Sequence, residues 1–150
     1  MNPPLLKLVI LAERLAVCRL DTHAPIPEWA TGEAFLSISR TRDELSVICE
    51  EHFVPAGIQA SRGWRGLKIV GPLDLDLIGS LVSVTVPLAQ SNIGILPIGT
   101  FETDYVLVRD RQLGDAVKAL RFAGFEVIDK ASLGVGGVQE PAIQGANTGD

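Results

Sequence analysis

The sequence predicts an α+β fold in which two helices cover one face of an antiparallel sheet. Helix patterns over residues 75–90 and 111–123 alternate with short apolar strand patterns between residues 67 and 128. This gives the order β-α-β-β-α-β, which is the ferredoxin-like split βαβ arrangement. In the first helix the apolar residues recur at spacings of four, three and four, as expected for one buried face: Leu77, Leu81, Val84 and Leu88.

The first fifty residues predict strands and turns. Apolar runs at residues 7–11 and 15–20 are separated by the charged pair 13–14, which predicts two strands around a turn. Residues 34–40 alternate between apolar and polar side chains, and an apolar run follows at 45–49. These two runs predict a hairpin, because a polar turn of three residues with strong turn formers lies between them.

Residues 50–63 contain proline and glycine without periodicity and predict an irregular link between two halves of the chain. A strand is predicted at 67–70, and Asp74 is placed to cap the helix over 75–90. Pro87 lies near the end of this helix, where it is expected to kink or shorten it, and Asn92 is the expected stop.

The last predicted elements complete the β-α-β-β-α-β order. Apolar strands are predicted at residues 93–99 and 105–108, followed by the helix over 111–123. Gly124 is placed to end that helix, and a last strand is predicted at 125–128. The inward residues of this helix are Leu113, Ala116, Val117 and Leu120.

The chain divides into three segments on composition. Residues 1–62 predict an N-terminal unit that is a degenerate copy of the second, and residues 63–130 carry the β-α-β-β-α-β order. Residues 131–150 change to Gly, Ala, Gln and Pro, which predicts a flexible tail.

Charge and hydropathy exclude several classes of partner. The 150 residues carry a formal net charge of −5, so the chain repels nucleic acid and anionic lipid. No apolar run approaches the roughly 20 residues that span a bilayer, and we expect a soluble cytoplasmic protein. Cys18 and Cys49 lie in apolar strand patterns without a CxxC spacing, which predicts buried, reduced thiols and no metal site.

The parts of a catalytic centre are missing from the sequence. Nucleophilic catalysis needs a Ser or Cys with a His partner, but His23 and His52 lie in predicted loops far from any nucleophile in sequence. The glycine cluster at residues 134–137 opens no helix, so it predicts no phosphate loop. RNA binding needs exposed aromatic residues on the sheet, and Phe35, Phe101 and Tyr105 are scattered along the chain. We therefore predict a non-catalytic protein without a cofactor.

The loop at residues 72–79 and the acidic turn at residues 100–104 are the remaining candidates for a binding site. The start of a helix offers backbone N–H donors to a carboxylate, and Glu102 or Asp104 offers a partner to an ammonium or guanidinium group. Together they suit a zwitterionic amino acid. The alternative is that Asp74 is only a cap and the acidic turn only a turn. In a single unit we expect the turn at the opposite end of the sheet from the loop.

Four segments of the sequence resemble ACT-domain proteins of the aspartokinase-like subgroup. They are Gly63-Trp64-Arg65-Gly66-Leu67-Lys68-Ile69-Val70-Gly71-Pro72-Leu73-Asp74, Ile78-Gly79-Ser80-Leu81, Pro87-Leu88-Ala89 and Ile98-Gly99-Thr100-Phe101-Glu102-Thr103-Asp104-Tyr105-Val106-Leu107-Val108. The pattern looks most like small bacterial proteins of two ACT units and is similar to the cytosolic arginine sensors of the TOR pathway. The resemblance implies tandem ferredoxin-like ACT units and a regulatory, amino-acid-binding function.

The resemblance also implies where a ligand would bind, namely where two ACT units meet side by side. Gly79 matches the glycine at the start of the helix, and Thr100, Phe101 and Asp104 match strand-end positions that contact ligand. Gly99 departs from the pattern, which usually has Ser there. The predicted ligand-binding residues are Asp74, Leu75, Ile78, Gly79, Thr100, Phe101, Glu102 and Asp104. A homodimer is expected, and the alternative function is a ligand-free protein–protein interaction or dimerisation module.

Overall fold

The computed structural model describes residues 6–70 and 79–129, and within them the predicted α+β class is confirmed. Seven strands form one sheet: β1 (Lys7–Leu20), β2 (Ser37–Arg40), β3 (Leu45–Glu50), β4 (Ala60–Val70), β5 (Ile95–Gly99), β6 (Asp104–Arg109) and β7 (Glu126–Asp129). Two α-helices accompany them: α1 (Ser80–Gln90) and α2 (Leu113–Phe122). The order from β4 to β7 is the predicted β-α-β-β-α-β. The predicted tail at 131–150 lies outside the described residues.

Strand β1 joins the two halves of the sheet. The strand order is β2-β3-β1-β4-β6-β5, and β7 pairs with β1 in parallel. The first half of β1 lies between β4 and β7, whereas its second half lies between β4 and β3. A ferredoxin-like unit on its own would pair its last strand with its first. Here a strand from the N-terminal part of the chain is inserted between them, and it adds one parallel pair to an otherwise antiparallel sheet.

The predicted turn at Glu13 and Arg14 is wrong, because β1 runs through it without a break. The charged pair instead marks an irregularity at which the register with β4 shifts between Ile10 and Arg14. Arg14 pairs with the carboxylate of Asp110 at 2.8 Å, and the same carboxylate lies 3.3 Å from a guanidinium nitrogen of Arg65. The shared acid balances two arginines that face each other across the strands.

The irregular link predicted at residues 50–63 is shorter in the structure. A single 3-10 turn, Glu51–Phe53, follows β3, and β4 already begins at Ala60 rather than at the predicted residue 67. The hairpin of β2 and β3 is confirmed, with β2 limited to its last four predicted residues.

Helix α1 begins later than predicted within the described residues. Gly79 has a φ of +100°, a left-handed conformation that cannot lie inside an α-helix, and the helix starts at Ser80. The predicted start at residue 75 lies outside the described residues. Pro87 stands inside the helix without ending it, and the chain leaves the helix at Asn92, which has a φ of +60°. The predicted stop at Asn92 is confirmed.

The main core lies between the helices and the sheet. All seven predicted inward residues of the two helices that the structure describes pack into it, and four are fully buried: Val84, Leu88, Ala116 and Leu120. They face Leu67 and Ile69 of β4 and Val106 and Val108 of β6. This packing fixes both helices on one face of the sheet, as predicted.

A second core lies on the opposite face and joins the two halves of the chain. It contains Leu11, Leu15, Ile48 and Leu107, and Phe35 covers them from the segment before β2. The rings of Phe35 and Tyr105 meet edge to face with centroids 4.8 Å apart. The two rings are therefore not scattered, because the fold brings the segment before β2 onto β6.

Both cysteines are buried and free, as predicted. Cys18 of β1 and Cys49 of β3 lie in a third cluster, under the loop that contains Trp29. Burial, and to a lesser extent the neighbouring Cys18 and Glu50, raise the pKa of Cys49 to about 11. Such a thiol stays protonated and unreactive at neutral pH.

Candidate functional site

The acidic turn between β5 and β6 is held by its own threonines. The backbone N–H of Thr100 donates to the carbonyl of Thr103 at 2.8 Å, and the Thr100 hydroxyl donates to the same carbonyl at 3.0 Å. In return, the N–H of Thr103 donates to the Thr100 hydroxyl at 3.2 Å. These three hydrogen bonds close the turn between Thr100 and Thr103, and Phe101 and Glu102 at its tip are exposed.

The turn lies at the end of β4, and the expectation that it sits at the opposite end of the sheet from the 72–79 loop is wrong. The hydroxyl of Thr103 donates to the carbonyl of Ile69, one residue before β4 ends. Strand β6 runs antiparallel to β4, with Tyr105 opposite Lys68. The β5–β6 turn must therefore adjoin the end from which the chain leaves β4 toward Gly79.

The start of α1 points to the same end of the sheet. Only residues 91–94 separate the helix from β5, so its C-terminus lies near the beginning of β5. Strand β5 then runs parallel to β4, because both are antiparallel to β6. The helix therefore returns along the sheet from the end where β4 stops. One ACT-like unit brings the start of α1 and the acidic turn to one end of its sheet.

The first turn of α1 carries backbone N–H donors. Within the described residues no side chain caps it, since Gly79 occupies the N-cap position, and a helix leaves its first N–H groups without intrahelical partners. In the same residues the Ser80 hydroxyl oxygen is buried and has no hydrogen-bond partner. A Cβ placed at Gly79 would meet none of the described residues within 4 Å. The N–H groups of a helix start are suitable donors for a carboxylate.

The acidic side chains at residues 102 and 104 supply negative charge, opposite in sign to the N–H donors of the helix start. Asp104, the first residue of β6, is half-buried and makes no ion pair within the residues described, and Glu102 is exposed. Gly99 pairs with Asp104 across the hairpin, and a Cβ at Gly99 would come within 3.2 Å of the Asp104 carboxylate. The glycine in place of the usual serine thus leaves room for this carboxylate.

The structure describes five of the eight predicted site residues. The structure describes Gly79 and the four predicted turn residues Thr100, Phe101, Glu102 and Asp104. The other three, Asp74, Leu75 and Ile78, lie outside the described residues.

The sequence did not predict the interaction of His52 with Glu50. The Nε2 atom of His52 lies 3.0 Å from Glu50, so this histidine is not simply solvated. That hydrogen bond is the largest cause that lowers the pKa of Glu50; burial opposes it, and backbone donors including Ala34 add to it. The apolar run at 45–49 could have placed Glu50 at the end of a strand, but only the fold shows that Ala34 and His52 meet it.

The described part of the chain was compared with the requirements of a metal site and of a membrane-spanning helix. No set of three His, Cys, Asp or Glu residues there could hold a metal ion. In the same residues, neither helix has the length and hydropathy to cross a membrane.

Two family models match parts of this chain. A family model for the ACT domain matches residues 59–121, and a second model, for an N-terminal domain, matches residues 13–57. The join between the two matches falls just before β4. Comparison with curated proteins finds no match.

Solved structures agree with this assignment. A protein from Agrobacterium tumefaciens is 37% identical over 85% of this chain and 95% of its own, with a TM-score of 0.80. A Vibrio cholerae protein of unknown function, described as a possible transport protein, is 15% identical over 79% of this chain and 89% of its own, with a TM-score of 0.64.

The regulatory subunit of aspartate kinase from Thermus thermophilus is 14% identical over 78% of this chain and 97% of its own, with a TM-score of 0.55. At these lower identities the likeness shows the fold alone, and it is to a regulatory subunit rather than to a catalytic domain. The chain belongs to the ACT-domain proteins, in a family with the small Agrobacterium protein.

Proposed function

We propose that this ACT-domain protein is a non-catalytic, cytoplasmic regulator that binds an amino acid where two ACT units meet. The observation that carries the proposal is the position of Gly79 and Asp104 at one end of the sheet. The first turn of α1 supplies N–H donors, and Asp104 at the start of β6 supplies a carboxylate that has no ion pair among the described residues. The likeness to a regulatory subunit of aspartate kinase supports a regulatory role for the chain.

The N–H donors and the acids at this end of the sheet select the class of ligand. A free amino acid carries a carboxylate, which the helix start can accept, and an ammonium group, which Asp104 can pair with. A basic side chain would find a second acid in Glu102, which is exposed beside Phe101. The three predicted contacts Asp74, Leu75 and Ile78 belong to the proposed site, between β4 and Gly79.

The proposed units are residues 1–62, a degenerate ACT-like unit, and residues 63–130, the ACT domain. Both contribute to one sheet, because β1 pairs with β3, β4 and β7. We infer that the protein acts as a homodimer, so that a second copy completes the side-by-side arrangement around the ligand.

The alternative function is an interaction module that needs no ligand. The observation that favours it is the exposure of two aromatic side chains, Phe101 at 85% and Phe122 at 96%. Exposed aromatic residues are typical anchors of protein interfaces.

A thermal-shift screen with the free amino acids distinguishes the two functions. We expect one ligand class to raise the Tm by roughly 5 °C near a hundredfold excess over its Kd. Asp104→Asn removes the charge that pairs with the ammonium group and should abolish the shift. Asp115→Asn, on the exposed side of α2, is the matched control and should keep it. No shift with any amino acid, or the same shift in Asp104→Asn, would contradict the proposal.

A further inference from the structure

A polar cavity lies where β1 and β4 are both irregular, beside the 3-10 turn that follows β3. It has a volume of about 440 Å³, and ionisable side chains form most of its lining: Glu13, Arg14, Glu51, His52, Val54 and Arg62. Arg62 lies near the start of β4, whereas the acidic turn adjoins Ile69 near its end. The strand between these two residues spans roughly 20 Å, so the cavity is separate from the acidic turn.

Two interruptions of the β1–β4 ladder bring the charged side chains together. Residues 11–13 of β1 lie opposite Gly66 of β4 alone. Farther along, residues 62–63 of β4 lie opposite Ala16 of β1 alone. Extra residues in one strand re-aim side chains, and such bulges are common beside functional sites. Each interruption contributes a charged side chain to the cavity, Glu13 from β1 and Arg62 from β4.

Hydrogen bonds to the backbone hold Arg62 in position. Its Nη2 atom donates to the carbonyls of Val54 at 3.3 Å and Pro55 at 3.1 Å. Glu51 accepts from the N–H of Gly63 at 2.7 Å, which fixes the irregular part of β4 beside Arg62. Neutral carbonyls supply no counter-charge, so Arg62 is held in place without an acid partner among the described residues.

The charges of the cavity are incompletely paired within the part of the chain that the structure describes. Glu13 and Arg62 have opposite charges and line one cavity, but no ion pair joins them. Arg14 uses only its Nη2 atom, which lies 2.8 Å from Asp110. The same carboxylate also serves Arg65, so one acid is shared by two arginines and this group keeps an excess of positive charge. The cavity thus offers two guanidinium groups and one carboxylate to a ligand.

We propose that this cavity binds a dicarboxylic amino acid. The ammonium group of the ligand pairs with Glu13, and its two carboxylates pair with Arg62 and Arg14. A ligand with negative charge alone, such as phosphate, would be repelled by Glu13. The proposal does not depend on the amino-acid site of the proposed function, because the acids at residues 102 and 104 favour a basic ligand there.

The affinity is expected to be low. Arg14 and Arg62 are exposed, and salt screens exposed charges. We therefore expect a dissociation constant on the order of 1 mM for L-glutamate. Because L-glutamine lacks the second carboxylate, its dissociation constant should be at least about tenfold higher.

Proton–nitrogen correlation NMR spectra of the full chain test the proposal. L-glutamate is added up to about 20 mM, roughly twenty times the expected constant. The backbone amide signals of His52 and Gly63 should shift and reach saturation. Signals of Thr103 and Asp104 report the site of the proposed function separately in the same spectra.

Two variants remove the proposed partners of the ligand. Glu13→Gln removes the partner of the ammonium group and should raise the dissociation constant at least about tenfold. Arg62→Met keeps the aliphatic part of the side chain and should have the same effect. Arg42→Met, in the exposed turn between β2 and β3, is the matched control and should leave the constant unchanged. The Glu13 carboxylate makes no hydrogen bond or ion pair within the described residues, so Glu13→Gln should keep the fold.

Three results would overturn the proposal. One is the absence of saturable shifts at His52 and Gly63 over the whole range of L-glutamate. Another is a dissociation constant of Glu13→Gln or Arg62→Met equal to that of Arg42→Met. The third is L-glutamine that binds as tightly as L-glutamate, because the second carboxylate would then have no partner in the cavity. Shifts confined to Thr103 and Asp104 would contradict this site while they support the site of the proposed function.

Discussion

The side-chain hydroxyl of Thr103 donates a hydrogen bond to the backbone carbonyl of Ile69, and this bond ties the acidic turn to the end of β4. The carbonyl lies near the point where the chain leaves the sheet toward Gly79. The bond therefore holds the acidic turn beside the end of β4. It explains why a turn that looks like a simple hairpin connection has a fixed position relative to β4.

Thr103→Val should destabilise the protein by about 1 kcal/mol, because valine keeps the shape but leaves the Ile69 carbonyl without its donor. The measurement is the free energy of unfolding in urea. Thr103→Ser keeps the hydroxyl and should restore most of the loss. If valine and serine have equal effects, the hydrogen bond is not what holds the turn.

Phe35→Ala should cost about 3 kcal/mol, since a buried aromatic residue leaves a cavity when it is truncated. Phe35 is 7% exposed and meets Tyr105 at 4.8 Å, so the loss would loosen the contact between the two halves of the chain. Phe122→Ala is the matched control, because its ring is 96% exposed and its removal should change stability by less than about 0.5 kcal/mol. Equal effects in the two variants would contradict the second core.

Patterns within short segments of the sequence predicted the elements that depend on neighbouring residues alone. The spacing of Leu81, Val84 and Leu88 gave the buried face of α1, and Asn92 gave its end. The resemblance added the family, which composition and spacing alone left open. The sequence also predicted the acidic turn, because the two strands that flank the turn are apolar and its tip is polar.

Long-range pairing could not be predicted in the same way. Nothing around Glu13 and Arg14 shows that Asp110, almost a hundred residues later, balances the charge of Arg14 within a continuous β1. The insertion of β1 between β4 and β7 likewise depends on strand pairing across the whole chain. The acidic turn adjoins the end of β4 because β6 runs antiparallel to β4. The expectation that placed the turn at the far end of the sheet assumed the wrong direction for the strands.

The pair of Glu50 and His52 predicts an acid-sensitive contact. The pKa of Glu50 is lower in the folded chain than its usual 4.5, so its stabilising contribution is present above that pH. The contribution is lost as the pH falls through the lowered pKa, when the protonated carboxyl no longer attracts His52 or accepts fully from Ala34. Urea unfolding at a series of pH values below 5.5, about one unit above the usual value, measures this loss.

Glu50→Gln should therefore flatten the acid dependence of the unfolding free energy relative to the unaltered chain. Glu28→Gln, at an exposed loop position, is the matched control and should leave the dependence unchanged. The same acid slope in both variants would show that Glu50 does not carry this part of the stability.

Gly79→Ala tests the start of α1 directly. The φ of +100° suits glycine, and an alanine there should destabilise the protein by roughly 1–2 kcal/mol although its Cβ meets no neighbour. Gly114→Ala is the matched control, because Gly114 lies in α2 with a negative φ and open space around it. That change should stabilise the protein by about 0.5–1 kcal/mol. Opposite signs in urea unfolding are expected, and a stabilising Gly79→Ala would mean that the helix extends through residue 79 and that the donors assigned to the ligand are already used within the helix.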